Sequence, residues 1–289
     1  MLQSYLEYKK AIRHNSKHTI ASYTKSIERF LEKMGVENLE QIQDISSSGC
    51  RDYQDYLLEA GLSKSSVNAN TRPIRVFFNW MIGEEYLEKT PWKNVKRLKA
   101  EKKTPDFLTD IEVSAMVKGC TRENDLIIFM LLRTLGLRRG ELINLRLSDM
   151  NEQHITIRGK GNKQRTLMIP QETYDLLVMH TKKRTQKWGL EYDNILITQQ
   201  GKPYSGEAIR LKIQSIGKRA GISPERIKQI HPHTLRHTFA TNFVETSGMR
   251  QTQGALGHSK MATTEIYAHL KNTELDRAMT NQRPILGVL

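Results

Sequence analysis

Apolar side chains return at helical spacing through the first hundred residues. The first such stretch follows Ser16, which can cap a helix, and it stops at Gly35. A second stretch covers residues 52–59 and is closed by Gly61. The spacing predicts two amphipathic helices here.

A third helical stretch begins at Ser63 or Ser65. Pro73 lies inside it, so the sequence predicts either a kink or a late helix start. The aromatic residues of this stretch are expected in a hydrophobic core, because burial favours large apolar side chains. They are Phe77, Phe78 and Trp80.

The periodicity breaks between Pro91 and Pro105, where lysine and arginine crowd a stretch with little apolar pattern. We interpret this segment as a boundary between two domains. It is open to two interpretations: a solvated linker, or a linker that lies along a phosphate backbone.

The second half mixes helices with two short strands. A capping signal at 109–112 opens a helix, and an apolar helix at 126–135 stops at Gly136. Residues 154–158 and 165–170 alternate like strands and are joined by the glycine- and lysine-rich residues 159–164, which predicts a hairpin. Further helices are predicted at 174–188, 205–220, 233–246 and 263–270.

The charge composition indicates the kind of partner that this protein binds. The 289 residues carry 45 Lys and Arg against 31 Asp and Glu, a net charge of +14, and both halves are basic. Such an excess is typical of nucleic-acid binding, although a basic enzyme that binds no nucleic acid would share it. Cys50 and Cys120 are too far apart for a zinc motif, the longest apolar run (126–132) is too short to cross a bilayer, and no signal-peptide order opens the chain. We expect a cytoplasmic, DNA-associated protein.

Candidate chemistry begins with His233 and Arg236. They are three residues apart and follow Pro232, so they share one face near a helix N-terminus, where an arginine and a histidine form an anion site with a proton donor or acceptor. A zinc site is a second interpretation of this segment, with His231, His233 and His237 as candidate ligands. No HExxH motif or nearby cysteine supports it, so we expect no metal.

Each of four further residues, taken alone, is only weak evidence for a catalytic site. Arg138 follows the end of the apolar helix, Lys160 lies in the hairpin connection, His258 follows Gly257, and Tyr267 comes nine residues later. Each residue type has an ordinary explanation: a surface arginine, a solvated turn, a half-buried tyrosine. Their order is the stronger signal.

That order resembles the tyrosine recombinase (phage integrase) family, in its Xer-like form. The resemblance covers nearly the whole chain and implies a mainly α fold of two domains. Residues 1–97 would form a helical, SAM-like core-binding domain, residues 98–106 a basic linker, and residues 107–289 a mixed α/β catalytic domain with a small antiparallel sheet.

The resemblance also implies a role for each site residue. Arg138 and Arg236 would grip the scissile phosphate, and His258 would hydrogen-bond it. Lys160 would protonate the leaving 5′ oxygen, and His233 would act as acid–base partner. Tyr267 would be the nucleophile.

The implied function is site-specific recombination of double-stranded DNA (integration, excision or dimer resolution) through a covalent 3′-phosphotyrosine and a Holliday junction, without cofactor or metal. The resemblance implies a homotetrameric or heterotetrameric synapse on DNA and a monomer or dimer when the protein is free. Two alternatives remain: a type IB topoisomerase-like nicking-closing enzyme, and a catalytically silent DNA-binding protein of the same fold. The apolar tail 283–289 would dock on a neighbouring subunit, as tails of this family often do, or on its own domain.

Overall fold

The computed structural model describes Tyr5, Glu7 and residues 17–101, 105–159, 163–189 and 193–257. The chain divides into two compact units, Met1–Lys103 and Thr104–Leu289. The helix predicted at 263–270 and the cap predicted at Ser16 lie outside the described residues.

In the described part of the N-terminal unit, all regular elements are helices. The elements are α1 (Lys17–Lys33), α2 (Leu39–Gln43), α3 (Ser47–Glu59) and α4 (Lys64–Gly83). Their apolar faces meet around aromatic rings packed edge to face, with Phe30 and Tyr53 5.0 Å apart and Tyr5 and Phe77 5.1 Å apart between centroids. Phe77 and Phe78 are fully buried and Trp80 packs against this core, as the pattern predicts.

Serine caps set two of these helix starts. Ser46 Oγ accepts a hydrogen bond from the Gly49 amide, so α3 begins five residues earlier than residue 52, where the apolar spacing placed it. Ser63 Oγ accepts from the Ser66 amide, and α4 starts at Lys64, nine residues before Pro73. The alternative of a late start at Pro73 is therefore wrong, since α4 runs through this proline.

Part of the lysine-rich segment packs onto the N-terminal core. Trp92 and Val95 are 2 % and 4 % exposed. The Arg75 guanidinium donates to both of their carbonyl oxygens, at 3.0 and 2.9 Å, and lies 4.5 Å from the centre of the Trp92 ring. Asn68 closes the stretch by exchanging two hydrogen bonds with the Leu98 backbone. Residues 92–98 are thus not a solvated linker.

The second unit combines eight helices of the described residues with one sheet. The helices are α5 (Asp110–Gly119), α6 (Glu123–Leu135), α7 (Arg139–Ile143), α8 (Gln171–Trp188), α9 (Gly206–Arg219), α10 (Pro224–Gln229), α11 (Pro232–Ser247) and α12 (Met249–Leu256). None of the described helices is both long and apolar enough to cross a membrane.

The sheet is antiparallel, in the order β1 (Met150–Asn151), β2 (His154–Arg158), β3 (Gln164–Met168). The predicted hairpin is β2–β3, with Ile155 opposite Leu167. Both of these side chains are buried, because alternate residues of a strand face the core. The two-residue strand β1 is too short to leave a periodic signal.

Helix α6 forms the centre of this core and ends where the sequence predicts. Gly136 has φ +57°, the left-handed conformation that stops a helix, and a Cβ placed on it would lie 2.3 Å from the Phe239 ring of α11. Ending α6 against α11 in this way brings Arg138 to the start of α7. The predicted cap of α5 is also present, as a capping box between Thr109 and Glu112.

Candidate active site

The turn after α6 presents an arginine and a glutamate together. Arg138 precedes α7, and its backbone amide donates to Glu141 Oε2 at 2.9 Å. Its side chain turns back to the same carboxylate, with Nη1 2.6 Å from Oε1. The side chain of Arg138 is 39 % exposed and that of Glu141 only 4 %. The arginine therefore faces solvent from a buried anchor.

A second arginine reaches this carboxylate from the sheet. Arg165 lies on β3, and its Nη2 and Nη1 lie 2.8 and 3.1 Å from the two oxygens of Glu141. Its Nε donates to the carbonyl oxygen of Ala255, in the last turn of α12, at 2.7 Å. Arg165 thereby ties β3, α7 and α12 together.

The third arginine comes from α11. Arg236 is 5 % exposed and donates to the carbonyl oxygens of Gly136 and Leu256. Its Nη1 lies 3.8 Å from Glu141 Oε2. We call Arg138, Arg165, Arg236 and Glu141 the arginine cluster.

The charge balance of the arginine cluster favours an anion. Burial alone would raise the pKa of Glu141, but the bonds from Arg165 and Arg138 outweigh it and lower that pKa to about 2. One carboxylate thus stays ionised among three guanidinium groups, which leaves two positive charges. Fixed guanidinium donors with a net positive charge suit the oxygens of a phosphodiester.

His233 adds a proton acceptor on the exposed side of α11. Partial burial lowers its pKa, and the charges of Arg236, Arg139 and Arg138 lower it further, as does His231. Its imidazole is therefore neutral near pH 7 and can accept a proton. His231 instead caps α11, with Nδ1 accepting from the Thr234 amide at 3.2 Å.

The structure brings together three of the six predicted site residues, Arg138, His233 and Arg236. Lys160, His258 and Tyr267 lie outside the described residues. The glycines that precede two of them border the arginine cluster. A Cβ on Gly159 would lie 3.8 Å from Glu141 Oε1, and one on Gly257 would lie 3.2 Å from Arg165 Nη1.

Sequence reasoning missed Glu141 and Arg165 as parts of this site. Glu141 stands three residues after Arg138, the spacing of a capping box, and that signal was present. Arg165 carried no signal, because its partner lies 24 positions away and becomes a neighbour only when the hairpin folds over α7.

The histidines do not form a metal site in the described part of the chain. The rings of His231 and His233 are 6.2 Å apart, and no group of three His, Cys, Asp or Glu residues is placed to hold an ion among the residues described.

Comparison with known proteins yields two family matches. Residues 106–274 match the phage integrase family, and residues 2–85 match the phage integrase N-terminal SAM-like domain.

Relatives match along nearly the whole chain. Tyrosine recombinase XerD of Staphylococcus haemolyticus is 30% identical over 292 residues, covering 98% of this chain and 97% of the relative. A crystal structure of a lambda integrase dimer bound to a COC′ core site superposes with a TM-score of 0.75 at 15% identity, covering 95% of this chain and 98% of that one. A lambda integrase tetramer bound to a Holliday junction gives 0.70 at 16%, covering 90% and 77%. At these low identities the two structures show the fold alone.

Proposed function

The chain belongs to the phage integrase family, and on that premise we propose that it is a site-specific tyrosine recombinase that cuts and rejoins double-stranded DNA. The observation that carries this proposal is the arginine cluster. It presents one exposed guanidinium and one rigidly held guanidinium, with a net positive charge, beside a neutral histidine.

Arg138 and Arg236 bind the non-bridging oxygens of the scissile phosphate in this proposal. Attack on a phosphodiester gathers negative charge on those oxygens, and fixed cationic donors stabilise that charge more than they stabilise the ground state. The roles of the two arginines differ. Arg236 is held by two carbonyl oxygens and fixes position, whereas Arg138 is anchored by Glu141 and exposed to solvent.

Tyr267 is the proposed nucleophile. Its phenolic oxygen attacks phosphorus, a new P–O bond forms to the tyrosine, and the bond from phosphorus to the 5′ oxygen breaks. A phenol has a pKa near 10 and is mostly protonated at pH 7, so its proton must go to an acceptor. Neutral His233 is that acceptor.

Lys160 donates a proton to the leaving 5′ oxygen, and His258 hydrogen-bonds the phosphate. What supports this assignment is the place of their chain neighbours, since Gly159 and Gly257 border the arginine cluster. The reverse reaction, attack of a 5′ hydroxyl on the phosphotyrosine, rejoins the strand. One phosphodiester is exchanged for one phosphotyrosine ester, so the exchange consumes no nucleotide.

We assign DNA binding to the helical core-binding domain, residues 1–97. Residues 98–106 are the linker, and residues 107–289 form the catalytic domain. The two family matches support this division. The partner is a duplex recombination site in the cytoplasm, joined in a tetrameric synapse, in keeping with the dimeric and tetrameric DNA complexes of lambda integrase.

A nicked suicide substrate tests the proposal. Such a duplex loses its short 5′ fragment after cleavage and traps the covalent intermediate. Wild-type protein should form a covalent adduct with a duplex that carries the attachment site. When a second duplex with the attachment site is added, the protein should form Holliday junctions. Nicking and resealing without strand exchange would indicate a topoisomerase-like enzyme, and binding without an adduct would indicate a silent DNA-binding protein.

A further inference from the structure

A cavity of about 760 Å³ opens in the second unit, and its lining includes none of Arg138, His233 and Arg236. Its walls come from the start of α6, the C-terminal half of α8, the connection between residues 197 and 204, and Lys212 of α9. Such a volume falls within the range of small-molecule sites. The recombinase mechanism gives it no role.

The described lining is strongly cationic. It holds five basic side chains and the single carboxylate of Glu123, which already bonds Lys183 Nζ at 2.7 Å and His180 Nδ1 at 3.1 Å. The basic side chains are Arg122, Lys183, Arg184, Lys187 and Lys212. Lys183 is paired with Glu123, and Lys212 is paired with the buried Asp125. Three basic side chains of the lining then have no ion-pair partner among the described residues, and this surplus attracts an anion.

Arg184 shows what kind of anion fits. It is only 4 % exposed, and its Nη1 donates to the carbonyl oxygen of Gly189 at 3.1 Å. Its Nε and Nη2 are buried and have no hydrogen-bond partner in the described structure. The negative charge of Asp193 acts on Arg184, but Asp193 forms no hydrogen bond with it. Its carboxylate accepts hydrogen bonds from the Ser148 hydroxyl at 2.7 Å and from the Ser148 amide at 3.1 Å.

Two unmet donors on one guanidinium match two oxygens of a phosphate group. Nε and one Nη of an arginine form the fork that binds such oxygens in pairs. Buried donors of this kind are nearly always satisfied in proteins, and the described residues provide no acceptor for these two.

An aromatic wall stands beside this charge. The Trp188 ring packs on the Gly201 backbone, where a Cβ would lie 2.8 Å from it, and Lys187 Nζ lies 5.2 Å from the ring centre. Tyr204 closes another side, its hydroxyl accepting a hydrogen bond from Asn124 at 3.0 Å. A half-buried indole next to unmet phosphate donors suits a flat base joined to phosphates.

We propose that this cavity binds a phosphate-bearing small molecule of nucleotide size, with its phosphate on Arg184 and its base against Trp188. The burial of Arg184 favours a small ligand over the DNA backbone, because a duplex reaches exposed cations such as Arg122 and Lys187 more readily than a guanidinium that is 4 % exposed.

Isothermal titration of the full chain with ATP and with pyrophosphate, in the presence of EDTA, tests this site. Both probes should bind, ATP more tightly because it adds the base. Arg184→Gln should weaken both by about tenfold or more, since it removes a charge-assisted pair of bonds. Lys182→Gln is the matched control, because Lys182 is exposed on α8 and is not part of the lining.

A second variant keeps the test valid should Arg184→Gln fail to fold. Arg122→Gln combined with Lys187→Gln changes two exposed lining residues and should also weaken pyrophosphate about tenfold. Absence of binding, or equal binding by wild type and variants, would overturn the proposal. A short duplex without a recombination site provides the last arm. If it displaces ATP, and the same variants lose duplex affinity in parallel, the cavity belongs to the DNA-binding surface and the proposal fails.

Discussion

Arg165 and Glu141 form a two-point ion pair across 24 positions of sequence, with oxygen–nitrogen distances of 2.8 and 3.1 Å. The pair joins β3 to α7, and the Nε of the same arginine joins both to the end of α12. Gly159 and Gly257, which precede Lys160 and His258 in the sequence, lie beside this ion pair. The pair is therefore the structural support of the proposed active site.

The first prediction concerns acid stability. The pKa of Glu141 is lowered to about 2 from an ordinary value of 4.5, so the unfolded chain binds more protons than the folded one between these pH values. The stabilisation by ionised Glu141 is complete above pH 4.5 and lost as the pH falls towards 2. Its magnitude is about 3 kcal/mol.

Glu141→Gln should therefore unfold more easily at pH 7, and the difference from wild type should shrink as the pH falls through this window. Urea unfolding at a series of pH values measures this. Glu245→Gln, at an exposed position of α11, is the control and should follow the wild type. A constant difference between Glu141→Gln and wild type would contradict the account.

The second prediction concerns the pH profile of cleavage. The pKa of His233 is lowered from 6.5 by partial burial and by neighbouring positive charges, so the imidazole stays a proton acceptor until the pH falls below 6.5. Cleavage of a suicide substrate should decline only below that pH. His233→Gln should be slower and should lose this acid limb.

His231 and His237 also have lowered pKa values, so the experiment needs a histidine control. His231→Asn preserves a residue type that caps helices and should keep the acid limb, moved slightly upward in pH because His231 no longer lowers the pKa of His233. An unchanged acid limb in His233→Gln would exclude His233 as the acceptor.

The third prediction compares two glycines four residues apart. Gly136→Ala places a side chain at φ +57° and a Cβ within 2.3 Å of the Phe239 ring. It should destabilise the unit by about 2–4 kcal/mol. Gly140→Ala meets nothing within 4 Å and should change stability by less than about 1 kcal/mol. Thermal unfolding measures both, and equal effects would show that the turn after α6 is not restricted in this way.

Local chemistry made much of this fold predictable. The stop at Gly136, the capping box of Thr109 and the hairpin strands around residues 159–164 each follow from a pattern of a few neighbouring residues. The order of the site motifs extended that to the family, because it uses residue identities along the whole chain.

Features that depend on distant partners were not predictable. Residues 92–98 look like a solvated linker because lysines alternate with few apolar residues, yet Trp92 and Val95 are buried under Arg75. The short helices α2, α10 and α12 are too brief for a periodic signal. The role of Arg165 depends on a fold that places β3 beside α7.

The fourth prediction separates acid catalysis from charge stabilisation. Lys160→Ala should slow cleavage by about 10²–10⁴-fold, the usual effect of losing a general acid. In a substrate with sulfur at the 5′ bridging position, the leaving group departs as a thiolate and needs no proton. This substrate should restore the rate of Lys160→Ala and leave Arg138→Ala slow, since in the proposed mechanism Arg138 acts on the non-bridging oxygens. Equal rescue of both variants, or of neither, would remove Lys160 from this role.

In the proposed mechanism Tyr267 becomes covalently joined to a 3′ phosphate, and mapping the trapped adduct tests this step most directly. The wild-type adduct from a suicide substrate is digested with nuclease and protease, and the modified peptide is sequenced by mass spectrometry. We expect a 3′-phosphonucleotide on Tyr267, and no adduct from Tyr267→Phe although that variant should bind DNA as the wild type does. A nucleotide on any other residue, or attachment through a 5′ phosphate, would contradict it.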